Sequence, residues 1–119
     1  MVEGLDHVQL VMPRGGEERA RAYFAGLLGL AELEKPTALA GRGGVWFRLA
    51  DGRQLHLGVE EPFRASAKAH PAFGCGDLDG LALSLDEGGY AAPWDQELAP
   101  RRRFYAEDPF GNRVEFIGS

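Results

Sequence analysis

The first residues of the chain alternate between apolar and polar positions, as a half-buried strand does. In the segment 5–12, Val8, Leu10 and Met12 fall on one face, and His7 begins the other. Pro13 and the glycines that follow end the strand. We therefore expect His7 to project away from the apolar face that packs on the core.

A second alternating strand ends the chain, directly after a tight turn. The turn is Asp108-Pro-Phe-Gly-Asn, and Pro together with a Gly-Asn pair favours such a turn. In the strand 113–117, Val114 and Phe116 share one face and Glu115 lies on the opposite one. Taken alone, Glu115 would be a solvent-facing carboxylate, because most mid-strand glutamates are solvated.

Between these strands, one plan occurs twice. In the first half, a helical pattern over 17–28 precedes a strand near 31–34 and a hairpin of strands 45–50 and 54–59. In the second half, a strand at 70–76 precedes a helix that starts at Asp77 or Asp79, then strands around 91–96, 102–107 and 113–117. Strand, helix and three strands in each half predict an α+β fold, with the strands in one mixed sheet system and two helices outside.

Composition limits the class of protein. With 119 residues, 45% hydrophobic and 26% charged, the chain is expected to be one globular domain, with module one at 1–60 and module two at 68–119. The net charge of −5 argues against nucleic acid or membrane as a partner. The single cysteine and the lack of a signal-like start favour a cytoplasmic protein.

The three histidines of the chain and Glu115 occupy corresponding places in the two halves. His7 and His70 begin the first strand of each half; His56 and Glu115 each follow a turn glycine by four residues. If these faces line a shared cup, the four side chains suit one divalent transition ion, Zn, Ni, Mn, Fe or Co. The alternative is three unrelated, partly exposed histidines. His56 is the least secure ligand, because Gln54 shares its face.

The segments around these four residues resemble the vicinal oxygen chelate superfamily. They are Leu-Asp-His7-Val, Leu-His56-Leu, Ala-His70-Pro-Ala-Phe and Asp-Pro-Phe-Gly-Asn-Arg-Val-Glu115-Phe. The superfamily includes glyoxalase I, fosfomycin-resistance thiol transferases, extradiol dioxygenases and bleomycin-binding proteins. The resemblance covers nearly the whole chain, and it implies two βαβββ modules that form a cup-shaped mixed sheet with the helices outside.

The resemblance also implies a site. One divalent ion would be held by His7, His56, His70 and Glu115, and it would chelate a small metabolite through two neighbouring oxygens. Glu115 would be the only carboxylate ligand and hence the candidate base. Related cups are often built across a dimer, so a homodimer is expected.

The resemblance leaves the reaction open. A glyoxalase-like lyase or isomerase, or a fosfomycin-resistance-like transferase, is favoured over an extradiol dioxygenase, because typical dioxygenases have twice as many modules. The alternative is a non-catalytic binding protein like the bleomycin-sequestering members, although these generally lack the metal ligands. A weaker possibility is an accessory domain that only dimerises.

Three further residues are candidates for contact with the substrate: Trp46, Arg103 and Tyr105. Arg103 belongs to the run Arg101-Arg102-Arg103, which is more simply a solvated basic edge but can hold an anionic substrate if Arg103 points inward. Trp46 and Tyr105 are expected in the core or the cup wall, and Tyr105 is a possible proton donor.

Overall fold

The structure is a computed structural model that describes residues 1–118. The chain divides into two compact units, one of residues 1–65 and one from Ser66 onward. Within the described residues, no helix has the length and apolar character needed to cross a membrane. The proposal that modules 1–60 and 68–119 make up a single domain stays a prediction.

The first unit contains four strands and a helical segment. The strands are β1 (His7–Met12), β2 (Ala31–Leu33), β3 (Val45–Arg48) and β4 (Gln54–Val59). The α-helical turn α1 (Glu17–Ala20) continues as a π-helix over Arg21–Leu27, and a 3-10 helix spans Thr37–Arg42.

The second unit follows the same order. Its strands are β5 (Ala72–Gly74), β6 (Trp94–Asp95), β7 (Arg103–Glu107) and β8 (Arg113–Ile117). Helix α2 (Leu78–Glu87) lies between β5 and β6, and its first turn is capped by the Asp77 carboxylate, which accepts a hydrogen bond from the Gly80 N–H at 2.9 Å.

The two sheets have the same topology. Their strand orders are β1-β4-β3-β2 and β5-β8-β7-β6, and in each sheet the first strand pairs in parallel with the last one while the remaining pairs are antiparallel. The predicted α+β fold with two βαβββ modules is therefore confirmed.

Two local predictions are corrected. The helix predicted over 17–28 turns into a π-helix, in which the Leu28 N–H donates to the Tyr23 carbonyl five residues back. The strand predicted at 70–76 is only three residues long, and His70 lies just before it.

The apolar faces predicted from alternation form the two cores. In the first unit Phe24 of the π-helix packs on Phe47 of β3, with ring centroids 5.6 Å apart, and both are fully buried. In the second unit Phe104 and Phe116 pack across β7 and β8 at 5.3 Å. Each sheet therefore turns its apolar side to its own core, and its other side carries the polar residues of interest.

The turn before β8 is held by a buried carboxylate. Asp108 accepts hydrogen bonds from the backbone N–H groups of Phe110 and Asn112, both at 2.9 Å, and from the Asn112 side chain at 2.8 Å. The Asn112 side-chain oxygen accepts the Ser66 N–H. Gly111 has a φ of +88°, which a side chain would strain. These bonds determine where β8 starts and hence where Glu115 lies.

Replacing Asp108 by alanine tests this role. The D108A change leaves three buried donors without an acceptor, so the free energy of unfolding should fall by about 2–4 kcal/mol. Chemical denaturation measures it. The exposed Asp86→Ala change in α2 is the control and should stay within about 0.5 kcal/mol of the wild type. An equal, small effect of both changes would contradict the assignment.

Candidate metal and substrate site

The first unit stacks two histidines and a tryptophan. In the parallel ladder of β1 and β4, Gln9 pairs with His56, and across β3 and β4 Trp46 pairs with His56. The His56 ring lies between the ring of Trp46, at 3.7 Å and an angle of 3°, and the ring of His7, at 4.2 Å and 17°. His56 is 5% exposed. Trp46 therefore packs directly on the ring of the candidate ligand His56.

Each of these two imidazoles uses one nitrogen in a local hydrogen bond. Nε2 of His56 is 2.8 Å from Oε1 of Gln54, and Nδ1 of His7 is 2.9 Å from Oδ1 of Asp6. The remaining nitrogens, Nδ1 of His56 and Nε2 of His7, make no hydrogen bond within the described part of the chain. In metal sites of proteins, hydrogen-bond partners such as Gln54 and Asp6 orient the histidine ring. Gln54 thus fills the polar role that the sequence suggested, and it leaves one nitrogen of His56 available.

Burial lowers the pKa of His56. The positive charge that His7 can carry lowers this pKa further, and Asp6 acts in the opposite direction. His56 is therefore kept neutral at neutral pH, which is the form that binds metals.

The second unit joins His70 to Glu115. Nε2 of His70 is 2.9 Å from Oε1 of Glu115, and Glu115 is almost completely buried, opposite Ala72 in the parallel ladder of β5 and β8. A solvated glutamate, the simpler expectation for this position, is thus wrong. Nδ1 of His70 is 3.0 Å from the Lys68 carbonyl. Both ring nitrogens therefore face acceptors, which requires a cation between the ring and the carboxylate, either a proton or a metal ion.

Arg103 holds the other side of Glu115. Its guanidinium is 3.0 Å from Asp95 and 3.4 Å from Oε2 of Glu115, and its side chain is 14% exposed. The solvated basic edge is thus wrong for Arg103, although Arg101 and Arg102 are exposed. Burial acts to lower the pKa of Arg103, but Asp95, Tyr105 and Glu115 outweigh it and raise this pKa above its usual value.

Tyr105 lies among the charged groups of the second unit. It pairs with Glu115 across β7 and β8, and its ring meets the edge of the His70 ring at 5.4 Å. The guanidinium carbons of Arg103 and Arg113 are 5.2 and 4.2 Å from the ring centroid. Arg113 and Asp95 were not among the sequence candidates. Arg113 could have been found, since alternation places it on the same face as Glu115.

The structure thus gathers the predicted ligands into two pairs, one in each unit. Within residues 1–118, no group of three or more His, Cys, Asp or Glu side chains lies close enough to hold one ion. Each pair offers imidazole nitrogen or carboxylate oxygen, the donor set of divalent transition ions. Each pair therefore supplies two adjacent ligands, half of a four-ligand coordination shell.

Comparisons with known proteins identify the family. Neither a family model nor a curated protein matches the chain. Among solved structures, a protein from Bacillus anthracis described as belonging to the glyoxalase family is 39% identical, with a TM-score of 0.95, over 100% of this chain and 97% of that one. This chain therefore belongs to the glyoxalase family of the vicinal oxygen chelate superfamily.

Two more distant structures share the fold. A glyoxalase/dioxygenase from Nostoc punctiforme is 22% identical, with a TM-score of 0.80, over 98% of this chain and 91% of that one. A mutant of the fosfomycin resistance protein FosX from Listeria monocytogenes, in complex with Mn(II) and a dihydroxypropylphosphonic acid, is 18% identical, with a TM-score of 0.80, over 100% of this chain and 93% of that one.

The stack in the first unit predicts a fluorescence titration. A protonated imidazole in contact with an indole quenches its emission, so Trp46 emission in metal-free protein should fall on acidification, with a midpoint below the ordinary histidine pKa of 6.5. A histidine whose pKa is lowered by folding contributes stability above its unfolded pKa, and this stability is lost as the pH falls.

The measurement uses a Trp94→Phe background, so that Trp46 is the only tryptophan. Changing His56 to glutamine should abolish the titration, and changing His7 to alanine should raise its midpoint. A midpoint above 6.5, or a titration unaffected by the change at His56, would contradict the prediction.

Proposed function

We propose that this protein is a divalent-metal-dependent enzyme of the glyoxalase type, acting on a small metabolite that presents two neighbouring oxygens. The protein ligands are His7, His56, His70 and Glu115, and the ion is one of Zn, Ni, Mn, Fe or Co. The observation that carries the proposal is the arrangement of His70, whose two nitrogens both face acceptors. The Lys68 carbonyl accepts the proton on Nδ1. Nε2 then faces the Glu115 carboxylate, and a cation between these two atoms would bind to both of them.

The spacing of the second pair, which is that of a hydrogen bond, would need little change to accept a metal ion. Two neighbouring ligands with bonds of about 2.1 Å are about 3.0 Å apart on an octahedral ion and about 3.4 Å apart on a tetrahedral one. The separation of His70 Nε2 and Glu115 Oε1 is 2.9 Å. The nitrogens of His7 and His56 without hydrogen bonds supply two further ligands of the same chemical type.

The residues then have separate roles. A bound ion would act as a Lewis acid on the two substrate oxygens and stabilise the negative charge that develops on them. Glu115 accepts the proton that leaves the substrate, through Oε2, which has only a long contact with Arg103 at 3.4 Å. Arg103 keeps this carboxylate in position and is itself held by Asp95. Trp46 and Tyr105 contribute aromatic rings to the substrate site, Trp46 beside His56 and Tyr105 beside His70.

Metal binding is the first test. Protein purified without chelators should contain a divalent ion by elemental analysis, and stripped protein should bind Ni²⁺, Zn²⁺ or Mn²⁺ in a calorimetric titration. Exchanging His7, His56 or His70 for alanine, or Glu115 for glutamine, should weaken binding by at least about tenfold, the smallest loss expected even for a supporting residue. The Glu87→Gln change at the exposed end of α2 is the matched control. A wild-type protein that cannot be loaded would overturn the proposal.

A mixing experiment tests the expected homodimer. If the ligands of one ion come from two copies of the chain, the His7→Ala and Glu115→Gln variants complement each other, because a heterodimer contains one intact site. Mixing them after dissociation should restore about a quarter of the sites, since random pairing makes half of the dimers mixed. Metal content of the mixture measures this. If light scattering shows dimers but the metal content of the mixture does not recover, a site shared between two copies of the chain is ruled out.

A further inference from the structure

We propose that the second unit carries an anion-binding position at Arg113 and Tyr105, so that the substrate bears a carboxylate, phosphate or phosphonate group. This inference rests on the proposed function for the role of the anion as part of a substrate. The anion position itself is argued from the charges and contacts of β7 and β8, and it can be tested without the metal.

Arg113 lacks an acidic partner, unlike most of the other arginines that make contacts. Carboxylates lie within ion-pair distance of the following five guanidinium groups: Arg14, Arg21, Arg53, Arg102 and Arg103. For Arg113, no acidic side chain of the described residues comes within this range. Glu107 is directly opposite in the ladder, yet the Arg113 guanidinium lies over the Tyr105 ring at 4.2 Å. A half-buried cation without a counter-charge is a ready anion site.

The position of Arg113 relates it to the candidate metal ligands. Arg113 and Glu115 are two residues apart on one face of β8, which separates them by about 7 Å along the strand. Tyr105 lies opposite Glu115 and also contacts His70 with its ring edge. The cation, the aromatic ring and the His70–Glu115 pair thus share one face of the sheet.

Arg103 cannot take the role of Arg113, because its charge is already compensated. Asp95 and Glu115 both contact its guanidinium. Its Nε, however, is buried and has no hydrogen-bond partner, and an unsatisfied buried donor is unfavourable. An oxyanion between the two guanidinium groups that flank Tyr105 would provide the missing acceptor.

These distances define a class of substrate. Its chelating oxygens would lie at the His70–Glu115 pair, and its anionic group would lie at the Arg113 guanidinium, over the ring of Tyr105, which is the residue opposite Glu115. A compact metabolite with the anionic group a few bonds from two neighbouring oxygens satisfies both requirements. Neutral and cationic ligands would leave Arg113 uncompensated and are disfavoured.

The experiment measures the binding of simple anions to the full chain. Methylphosphonate and acetate represent the two sources of the anion, and the neutral dimethyl methylphosphonate is the uncharged reference. Each is titrated into metal-free and Mn²⁺-loaded protein, with ³¹P NMR or calorimetry as the readout. The variants are Arg113→Gln, Arg113→Lys, and Arg48→Gln as a matched control, since Arg48 is an exposed strand arginine of the first unit.

We expect saturable binding of at least one of the two anions and none of the neutral ester, in both forms of the protein. The change to glutamine should weaken anion binding at least tenfold, and the change to lysine, which keeps the charge, should weaken it less. Mn²⁺ affinity, measured with the metal alone, should change less than twofold, and Arg48→Gln should alter neither quantity.

The failure of this inference can be told apart from the failure of the proposed function. If the protein binds an anion through Arg113 but no metal, the anion site stands and the metalloenzyme proposal falls. If the protein binds Mn²⁺ but neither anion, or if the changes at Arg113 and Arg48 have equal effects on anion affinity, the anion site is overturned. If Arg113→Gln does not fold, the anion affinities of Arg113→Lys and Arg48→Gln are compared instead. Weaker binding in Arg113→Lys alone supports the anion site, and equal affinities overturn it.

Discussion

Parallel pairing of the first and last strands is the constraint on which both units depend. In the first unit it sets β1 beside β4 and stacks His7 on His56; in the second it sets β5 beside β8 and brings His70 to Glu115. The members of each pair are more than forty residues apart in the chain. A parallel pair needs a long crossover, and the helix and two strands between them supply it. The same topology that closes each module therefore also assembles its pair of polar side chains.

Burial of charge is the main cost of the arrangement in the second unit. A carboxylate as enclosed as that of Glu115 is unfavourable unless cations and hydrogen bonds compensate it. Arg103 does so as the cation, His70 does so through its 2.9 Å contact with Oε1, and Asp95 in turn compensates Arg103. This chain of ion pairs keeps the Glu115 carboxylate in one position without the need for a loop to close over it. Among the described residues, it also leaves Arg113 as a cation on that face that forms no ion pair with an acidic side chain.

Much of the fold could be predicted from the sequence, because the alternation in β1, β4 and β8 is regular and glycines or Pro mark the turns. The faces of His7, His56 and Glu115 followed from the same alternation. The π-helical turn was missed, since α- and π-helices both place apolar residues on one side and differ in a backbone hydrogen bond that the sequence pattern does not show. The burial of Arg103 was missed as well, because it depends on Asp95 from another strand.

The sequence by itself determined the two repeated modules, the strand faces that carry His7, His56 and Glu115, and the family to which the chain belongs. Only the tertiary structure decided which of these residues meet: the stack of Trp46, His56 and His7, and the charge network around Glu115. The physical reason is that alternation specifies the side of a sheet on which a residue lies. It does not specify the neighbour across the strand, which depends on register and on charges from distant parts of the chain.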